Sequence, residues 1–389
     1  MPYDITEDRR DEYRRCSSES ARAKAKALNG EGPAPLHPIN VPLLDPDQLM
    51  PARAPNGMHS LSLFSGGGGF DLGFELAGFS HVASFDILEI CGETLISNRP
   101  KWEVNAGADR GDVRKVDWKR YAGRVDVIHG GPPCQPFSVA GKQLGHLDDR
   151  DMWPEFVRAV RQLRPRAFVA ENVVGLLDPK FKLYVHQTIL QPLHEYKITS
   201  FKLSAAMFGV PQARQRVFFV GFASRRAFEH FTIPGATHYF DHLGGEQVSD
   251  GTSPMFEEIR DLRRCVGVRE ALGLEDIGFD ALAPTLRSGF TGPRNSTSIL
   301  NSVASQRAWE LLQIWPNGVG ASRAKASLFV AQNRHFRLSV QDCALMQGFP
   351  DRWHFRGSVY KVLGQIGNSV SPPMAYQVAY SVATALAFD

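Results

Sequence analysis

The sequence lacks the features that define several protein classes. Its five cysteines are odd in number, widely scattered and without a C-x-x-C pair, which argues against a disulfide framework and against a structural zinc site. It has no apolar run of about 18 residues, and no apolar stretch follows the charged amino terminus MPYDITEDRRDEYRR. We therefore predict free thiols, no membrane span, no secretory signal and a cytoplasmic location.

The chain also lacks a strong imbalance of charge, since its formal net charge is only +3 over 389 residues. The charge is nevertheless unevenly distributed. Residues 226–280 carry five Arg against eleven Asp and Glu, a net of −6, whereas residues 281–334 carry five Arg and one Lys against Glu310 alone, a net of +5. A nucleic-acid partner requires concentrated basic surface, so the second stretch is the better candidate to face phosphates.

Four regions with different patterns follow one another along the chain. Residues 1–57 have little apolar periodicity and are predicted to be a mobile arm. Residues 58–222 alternate short apolar runs with helix-length segments, which is typical of a doubly wound parallel sheet. Residues 223–333 are rich in Gly, Ser, Thr and Arg and predict a smaller loop-rich domain, and residues 334–389 are expected to return to the first domain.

Individual elements can be assigned within this framework. The predicted strands are 61–64, 82–85, 125–128 and 167–170, the predicted helices lie near 70–77, 89–97 and 155–163, and residues 198–203 and 217–222 are predicted to close the sheet as a β pair. A last helix is predicted over 374–387, after two prolines that suit its first turn.

A glycine loop, Phe64-Ser65-Gly66-Gly67-Gly68-Gly69-Phe70, follows the first predicted strand. A strand, glycine loop and helix in this order let a nucleotide-like ligand approach the backbone, although Asp71 stands where a dinucleotide site would have a third glycine. Asp86 ends the second strand, where an acid can accept hydrogen bonds from ribose hydroxyls, and Asp112 could bind an adenine amino group. A tight turn, a helix cap and a turn residue are the alternative structural interpretations of these features.

A proline-flanked cysteine follows the predicted strand 125–128, in Gly130-Gly131-Pro132-Pro133-Cys134-Gln135-Pro136-Phe137-Ser138. Prolines remove backbone freedom and amide donors, so the thiol of Cys134 would be held with little entropy left to lose. A buried structural cysteine in a proline-rich loop is the alternative interpretation. The position after a strand favours a nucleophile.

Further polar residues are predicted near this cysteine. The next strand ends in Ala170-Glu171-Asn172-Val173, so an acid could share one crevice with the thiol. Farther on, alternation in an extended chain would place Gln212, Arg214 and Arg216 on one face, where two guanidinium groups could bind one anionic or carbonyl-rich ligand. A solvated edge strand is the alternative.

Taken in order, these segments resemble the motif series of cytosine-C5 DNA methyltransferases, especially the prokaryotic modification enzymes. The series consists of FSGGGGF (64–70), GGPPCQPFS (130–138), ENV (171–173), PQARQR (211–216), ALMQGFPD (344–351) and QIGNSVSPP (365–373). The resemblance implies a Rossmann-like domain that binds S-adenosylmethionine and a smaller target-recognition domain. Ser62 departs from the family pattern, which usually has an acid at this position.

The resemblance also implies roles for individual residues. Cys134 matches the nucleophile, Glu171 the glutamate of the ENV block, and Arg214 and Arg216 the paired arginines, which together form the predicted catalytic set. The predicted cofactor contacts are Phe64, Ser65, Gly66, Gly68, Asp86, Ile87, Asp112, Val113, Pro133 and Asn368. No metal is expected. The expected partners are double-stranded DNA and a companion restriction endonuclease that acts on the same site, and the chain is expected to be a monomer.

Cytosine in a stacked duplex is out of reach of such a site, so the base would have to be flipped out. The net-positive stretch 281–334, which includes residues 284–294, is the predicted recognition segment, and 141–150 could close over the base. Three other interpretations stay open: an RNA cytosine methyltransferase with the same chemistry, a catalytically inactive DNA-binding relative, and a proline-flanked redox cysteine on a nucleotide-binding fold. The redox interpretation predicts neither the ENV nor the QGFPD block. The long middle module favours DNA, and the presence of Cys134 and Glu171 disfavours an inactive relative.

Overall fold

A computed structural model describes residues 37–133, 151–240, 262–286, 297–300, 302–328 and 334–389, together with isolated positions before residue 32. Three predicted features fall wholly or partly outside the described residues: Cys134, the closing segment 141–150, and residues 287–296, 301 and 329–333 of the recognition segment.

A seven-stranded, mostly parallel sheet forms the centre of the protein. Its strands are β1 (His59–Leu63), β2 (Ser80–Asp86), β3 (Val104–Ala106), β4 (Val127–Gly130), β5 (Ala167–Val173), β6 (Lys197–Ser204) and β7 (Gln215–Phe222). Their order is β3-β2-β1-β4-β5-β7-β6, in which β7 runs antiparallel to both of its neighbours and the remaining pairings are parallel. The predicted α/β fold is confirmed. The chain reverses direction across the sheet between β1 and β4, so a crevice forms beyond the carboxyl ends of these two strands.

Helices cover both faces of the sheet. They are α1 (Gly69–Leu76), α2 (Glu89–Asn98), α3 (Trp153–Leu163), α4 (Arg225–His230), α5 (Val303–Leu311), α6 (Val340–Met346), α7 (Val359–Asn368) and α8 (Pro372–Leu386). The apolar residues of α1 and α8 pack on one face, and those of α3 pack on the other. Burial on both faces explains why the central strands appear in the sequence as continuous apolar runs.

Shorter elements connect these units. One-turn helical segments are Pro46–Leu49, Gly107–Arg110, Val113–Lys115, Trp118–Tyr121, Val174–Leu177, Pro179–Phe181, Lys182–Val185, His186–Leu190, Ala205–Phe208, Val268–Ala271 and Arg323–Ser327. Two-residue strands pair Gln212–Ala213 with Ala283–Pro284 and His238–Tyr239 with Arg263–Arg264.

The middle region contains more regular structure than its composition predicts. Strand β8 (Ile314–Gly320) pairs in parallel with β9 (Phe336–Ser339), and α5 precedes β8. Strand β8 contains a proline and two glycines, which are unfavourable in strands, so residue propensities do not predict it. Trp309 and Ile314 are buried in the same apolar cluster as α1 and α8, so the described part of this region shares its core with the sheet domain.

Residues 37–57, which we call the N-terminal strap, differ from the mobile arm that the sequence predicts. The Asn40 amide donates to the Leu272 carbonyl at 3.1 Å and to Asp342 Oδ1 at 3.0 Å. Asp47 accepts two hydrogen bonds from Arg352. The strap therefore contacts both the middle region (residues 223–333) and the segment that returns to the sheet domain (residues 334–389, the C-terminal return). The expected boundary at residue 57 does not separate the strap from the folded chain.

Removal of the Asn40 amide is expected to destabilise the protein. Asn40 is buried, so Asn40→Ala would remove one donor from the Leu272 carbonyl and one of several donors from the Asp342 carboxylate, at a cost of about 1–3 kcal/mol. Urea unfolding measures this loss. Gln48→Ala, at an exposed position of the same strap, is the control and should stay within about 0.5 kcal/mol of wild type. If Asn40→Ala were as stable as Gln48→Ala, the hydrogen bonds of Asn40 would make no net contribution to the free energy of unfolding.

Candidate active site at the carboxyl edge of the sheet

The glycine loop after β1 is closed on one side and open on the other. Gly69 is pressed against the C-terminal return, because a Cβ there would lie 2.0 Å from the Val370 carbonyl oxygen. Gly66 adopts a positive φ of 55°, and a Cβ there would meet no atom closer than the Phe64 carbonyl oxygen at 3.9 Å. The open side of Gly66 thus leaves room for a ligand to approach the backbone, which fits the predicted cofactor site.

Asp86 links the end of β2 to this loop. Its Oδ2 accepts a hydrogen bond from the Gly66 amide and its Oδ1 accepts one from the Leu88 amide, both at 2.8 Å. Burial raises the pKa of Asp86. Asp86 therefore closes a turn before α2 and does not cap that helix, whose N-cap residue is Leu88. With a further hydrogen bond from the Cys91 side chain, the carboxylate still has an acceptor site for a ribose hydroxyl. Next to it, the Ile87 side chain is half exposed and offers an apolar surface beside the loop.

Asp112 is already bound within its own turn. Its carboxylate accepts hydrogen bonds from Arg114 Nε at 2.8 Å and Nη2 at 2.7 Å, and Oδ1 also accepts from the Arg114 amide. The Arg114 guanidinium lowers the pKa of Asp112. Asp112 and Val113 are both buried. The observed contacts of Asp112 are therefore those of a turn residue, which was the alternative interpretation of this position. Its contact with an adenine amino group stays a prediction.

Glu171 and Arg216 form an ion pair inside the crevice. They lie on the antiparallel strands β5 and β7, and the Arg216 Nε to Glu171 Oε1 distance is 2.7 Å. Both side chains are largely buried. The backbone after β4 runs past the same carboxylate, because a Cβ on Gly131 would lie 3.3 Å from Glu171 Oε2. The predicted acid and one predicted arginine are therefore brought together.

The segment that leads to Cys134 is tied to the same strand. The Asn172 amide donates to the Pro132 carbonyl at 3.1 Å, and Pro133 is partly buried. Since Cys134 itself lies outside the described residues, its distance from Glu171 stays a prediction. The contacts of Gly131 and Pro132 show that the chain begins its course toward residue 134 beside Glu171.

Arg214 faces different partners from Arg216. Its guanidinium is fully buried and donates to the Gly367 carbonyl at 3.2 Å and to the Ser369 carbonyl at 2.8 Å. These carbonyls lie at the end of α7, where the last C=O groups of a helix have no partner within the helix. The two arginines therefore do not converge on one ligand position, and the contacts of Arg214 are those of a residue that secures the C-terminal return.

Asn368 lies between the two carbonyls that Arg214 binds. It is the last residue of α7 and its side chain is exposed. The adjacent Ser369 Oγ would lie 2.7 Å from a Cβ on Gly67. Asn368 therefore precedes a residue that packs against the glycine loop, and its contact with the cofactor stays a prediction.

Two residues at this edge were not assigned a role from the sequence. Trp353 Nε1 donates to the Gly67 carbonyl at 3.0 Å, across a separation of 286 residues. Asp71 is buried beneath the loop and accepts a hydrogen bond from Ser84 Oγ at 2.6 Å. The sequence marks Asp71 only by the missing third glycine, and nothing local indicates the contact of Trp353.

Among the residues that the structure describes, no group of three or more His, Cys, Asp or Glu side chains is arranged to hold a metal ion. Within the same residues, no helix is both long and apolar enough to cross a membrane.

The α/β fold carries an open glycine loop at its carboxyl edge, beside a buried carboxylate and arginine, which is an arrangement typical of enzymes that bind nucleoside-type cofactors. Residues 58–384 match the family described as C-5 cytosine-specific DNA methylase. The chain belongs to this family and is a DNA (cytosine-5-)-methyltransferase, whose family membership implies S-adenosylmethionine as methyl donor and DNA as substrate.

Named relatives cover nearly the same part of the chain. The type II methyltransferase M.NgoMIV of Neisseria gonorrhoeae is 35% identical over 335 residues, which are 84% of this chain and 97% of that protein. The type II methyltransferase M.PspPI of a Psychrobacter strain is 30% identical over 347 residues, 85% of this chain and 80% of that protein. A crystal structure of the Dnmt2 methyltransferase of S. pombe shares the fold, with a TM-score of 0.52, 15% identity and coverage of 85% of this chain and 98% of that one.

Proposed function

We propose that this enzyme methylates C5 of a flipped cytosine in one short duplex sequence, with Cys134 as the covalent nucleophile. The observation that carries the proposal is the buried Glu171–Arg216 pair, which lies against the backbone leading to Cys134. A paired acid and guanidinium in a crevice can bind the polar edge of a base that has left the stack.

The cofactor would bind at the glycine loop. The open side of Gly66, the half-exposed Ile87 and the carboxylate of Asp86 are suited to the backbone approach, the apolar ring and the ribose hydroxyls of a nucleoside. Further proposed contacts are Phe64, Ser65, Gly68, Asp112, Val113, Pro133 and Asn368. When bound, S-adenosylmethionine supplies an electrophilic methyl group on its sulfonium.

Cys134 is proposed to make the base reactive. C5 of cytosine is a weak nucleophile, so the thiolate first adds to C6 and converts C5 into an enamine-like carbon. After C5 has gained the methyl group, loss of the C5 proton and breakage of the bond between sulfur and C6 restore the aromatic ring. The thiol must lose its proton for the first step, because the thiolate is the attacking species.

Glu171 and Arg216 are proposed to stabilise the activated ring. Glu171 would engage N3 and the N4 amino group, and Arg216 would donate to O2. The ion pair places the two groups side by side before the base arrives, so they would need little movement to engage it together. Arg214 would contribute to the reaction through the position of the α7 end, beside Asn368.

DNA recognition is proposed for the basic stretch 281–334. Its described residues Arg307, Lys325 and Arg334 are exposed, whereas Arg323 is bound to Asp342 and Asp351. Arg323 is thus assigned to the protein's own structure, and the three exposed residues are the described candidates for phosphate contacts. The names of the type II relatives support a role in a restriction-modification system with a companion endonuclease. We expect the enzyme to act as a monomer.

The proposal is tested by transfer of labelled methyl groups from S-adenosylmethionine into unmethylated duplex DNA, followed by bisulfite sequencing. We expect 5-methylcytosine confined to one short sequence. Transfer to RNA and not to DNA would replace the proposal by the RNA alternative. DNA binding without transfer to either would indicate the inactive relative.

A further inference from the structure

A buried glutamine lies on the short strand that leads to the candidate active site. Gln212 is fully buried and belongs to the strand Gln212–Ala213, which pairs in parallel with Ala283–Pro284. Arg216, the partner of Glu171, follows at the start of β7. The chemistry proposed above does not use the side chain of Gln212.

Three hydrogen bonds engage the amide group of Gln212. Its Nε2 donates to the Met346 carbonyl and to Gln347 Oε1, both at 2.9 Å. Its Oε1 accepts a hydrogen bond from the Leu286 amide at 3.3 Å. Met346 and Gln347 belong to the C-terminal return, whereas Leu286 belongs to the basic stretch 281–334. Gln212 therefore connects the stretch proposed to recognise DNA with the C-terminal return.

The backbone groups on its two sides determine the orientation of this amide. A carbonyl oxygen can only accept a hydrogen bond and a backbone N–H can only donate one. If Oε1 and Nε2 of Gln212 exchanged places, an oxygen would face the Met346 carbonyl and an NH₂ group would face the Leu286 N–H. The observed orientation satisfies both groups, and a methionine of similar size would satisfy neither.

The hydrogen bonds continue from Gln347 to the end of α7. Gln347 Nε2 donates to the Ser369 carbonyl at 2.6 Å, and the same oxygen accepts from Arg214 Nη2 at 2.8 Å. Alternation predicts Gln212 and Arg214 on one face, and both are directed toward this end of α7. Ser369 also packs against Gly67 of the glycine loop. The position of Leu286 is thus connected to the part of the protein that surrounds the candidate cofactor site.

A second side chain extends the contact beyond the two paired residues. Pro284 has no amide hydrogen and cannot donate to the strand opposite. Thr285 Oγ1 instead donates to the Ala213 carbonyl at 2.6 Å. Thr285 is partly exposed, whereas Leu286 is buried. Together these bonds give residues 283–286 a defined position relative to the strand that leads to Arg216.

We propose that Gln212 is a positioning residue for DNA recognition, which holds the beginning of the basic stretch at a fixed position relative to the pocket of Glu171 and Arg216. Side chains that read neighbouring bases specify a sequence only if they lie at a defined distance from the pocket that receives the flipped cytosine. This inference rests on the proposed function, in which the stretch 281–334 recognises DNA. It assigns Gln212 no contact with DNA.

The consequence is a change of sequence preference and not a loss of DNA binding. Phosphate contacts supply affinity that does not depend on sequence, so an enzyme without the Gln212 bonds should still bind duplex DNA. Its base-reading side chains would no longer have one defined position relative to the pocket. We therefore expect such an enzyme to methylate mismatched sites more readily.

The test is methyl transfer from S-adenosylmethionine into a pool of duplexes with randomised positions on both sides of a cytosine, followed by bisulfite sequencing. For each variant it gives the ratio of transfer to the preferred sequence and to sequences that differ by one base pair. We expect Gln212→Met to lower this ratio about tenfold, which is within the range that one mismatched base pair contributes. Thr285→Val removes one bond at a partly exposed position and should lower the ratio less.

Gln365→Met is the matched control for loss of a buried glutamine. Gln365 is fully buried in α7, donates to the carbonyls of Arg356 and Lys361, and accepts a hydrogen bond from Thr94. These partners lie in α2 and in the C-terminal return. Both glutamine variants should lower the melting temperature by similar amounts, and Gln365→Met should keep the wild-type ratio.

The comparison separates positioning from a merely structural role. An unchanged ratio in folded Gln212→Met and in Thr285→Val would overturn the inference, and Thr285→Val decides alone if Gln212→Met does not fold. An equal fall of the ratio in Gln365→Met would also overturn it, because lower stability alone would then relax the sequence preference. Failure of wild type to prefer any sequence would instead overturn the proposed DNA recognition, and with it this inference.

Discussion

Cys134→Ala is expected to reduce methyl transfer more than about a thousandfold, because alanine cannot form the bond to C6 that makes C5 nucleophilic. DNA affinity should remain close to that of wild type, since alanine removes only the sulfur. The two quantities are measured by incorporation of labelled methyl groups and by binding to duplex DNA without cofactor. Substantial residual methylation would exclude Cys134 as the nucleophile.

Cys265→Ala is the matched control. Cys265 is buried, and burial raises the pKa of its thiol to about 12, so it stays protonated. Its removal should leave methyl transfer intact. A second readout uses duplex DNA that carries 5-fluorocytosine, from which C5 cannot lose a proton after methylation. Wild type should remain covalently attached to this DNA under denaturing conditions, and Cys134→Ala should not.

Arg214→Ala is expected to lower the free energy of unfolding by about 3 kcal/mol, the range observed when a buried hydrogen-bonded charge is truncated. The guanidinium donates to the carbonyls of Gly367 and Ser369. Alanine leaves both oxygens buried without this donor and creates a cavity. Chemical denaturation without cofactor measures the effect.

Arg225→Ala is the control for loss of an arginine. Arg225 is exposed and pairs with Glu229 one helical turn away, so its variant should stay within about 0.5 kcal/mol of wild type. If Arg214→Ala had wild-type stability and still lost methyl transfer, Arg214 would act on the substrate as the family resemblance implies. The present contacts favour a residue that holds the end of α7.

The sequence predicts the sheet well because each central strand is buried on both faces and therefore appears as a short apolar run. Leu61 and Val169 lie in strands found where they were predicted. Strand β3 was not predicted, because Val104–Ala106 is too short to show periodicity. Strand β8 was not predicted either, because it is recognisable only through its pairing with β9.

Some residues of the candidate site could likewise be located from the sequence, and others could not. Asp86 and Glu171 could be located from the sequence, since each follows an apolar strand and so must lie at the carboxyl edge of the sheet. The role of Arg214 could not, because its partners are 153 and 155 residues away.

The closure of the glycine loop by the C-terminal return also bears on how the protein folds during synthesis. Gly67 contacts Trp353 across 286 residues, and Gly69 packs against Val370. Contacts of such high sequence separation form late, because the loop-closure entropy must be overcome first. A chain still on the ribosome would therefore leave the apolar face of α1 uncovered, and this face is where we expect a chaperone to bind until α8 has emerged.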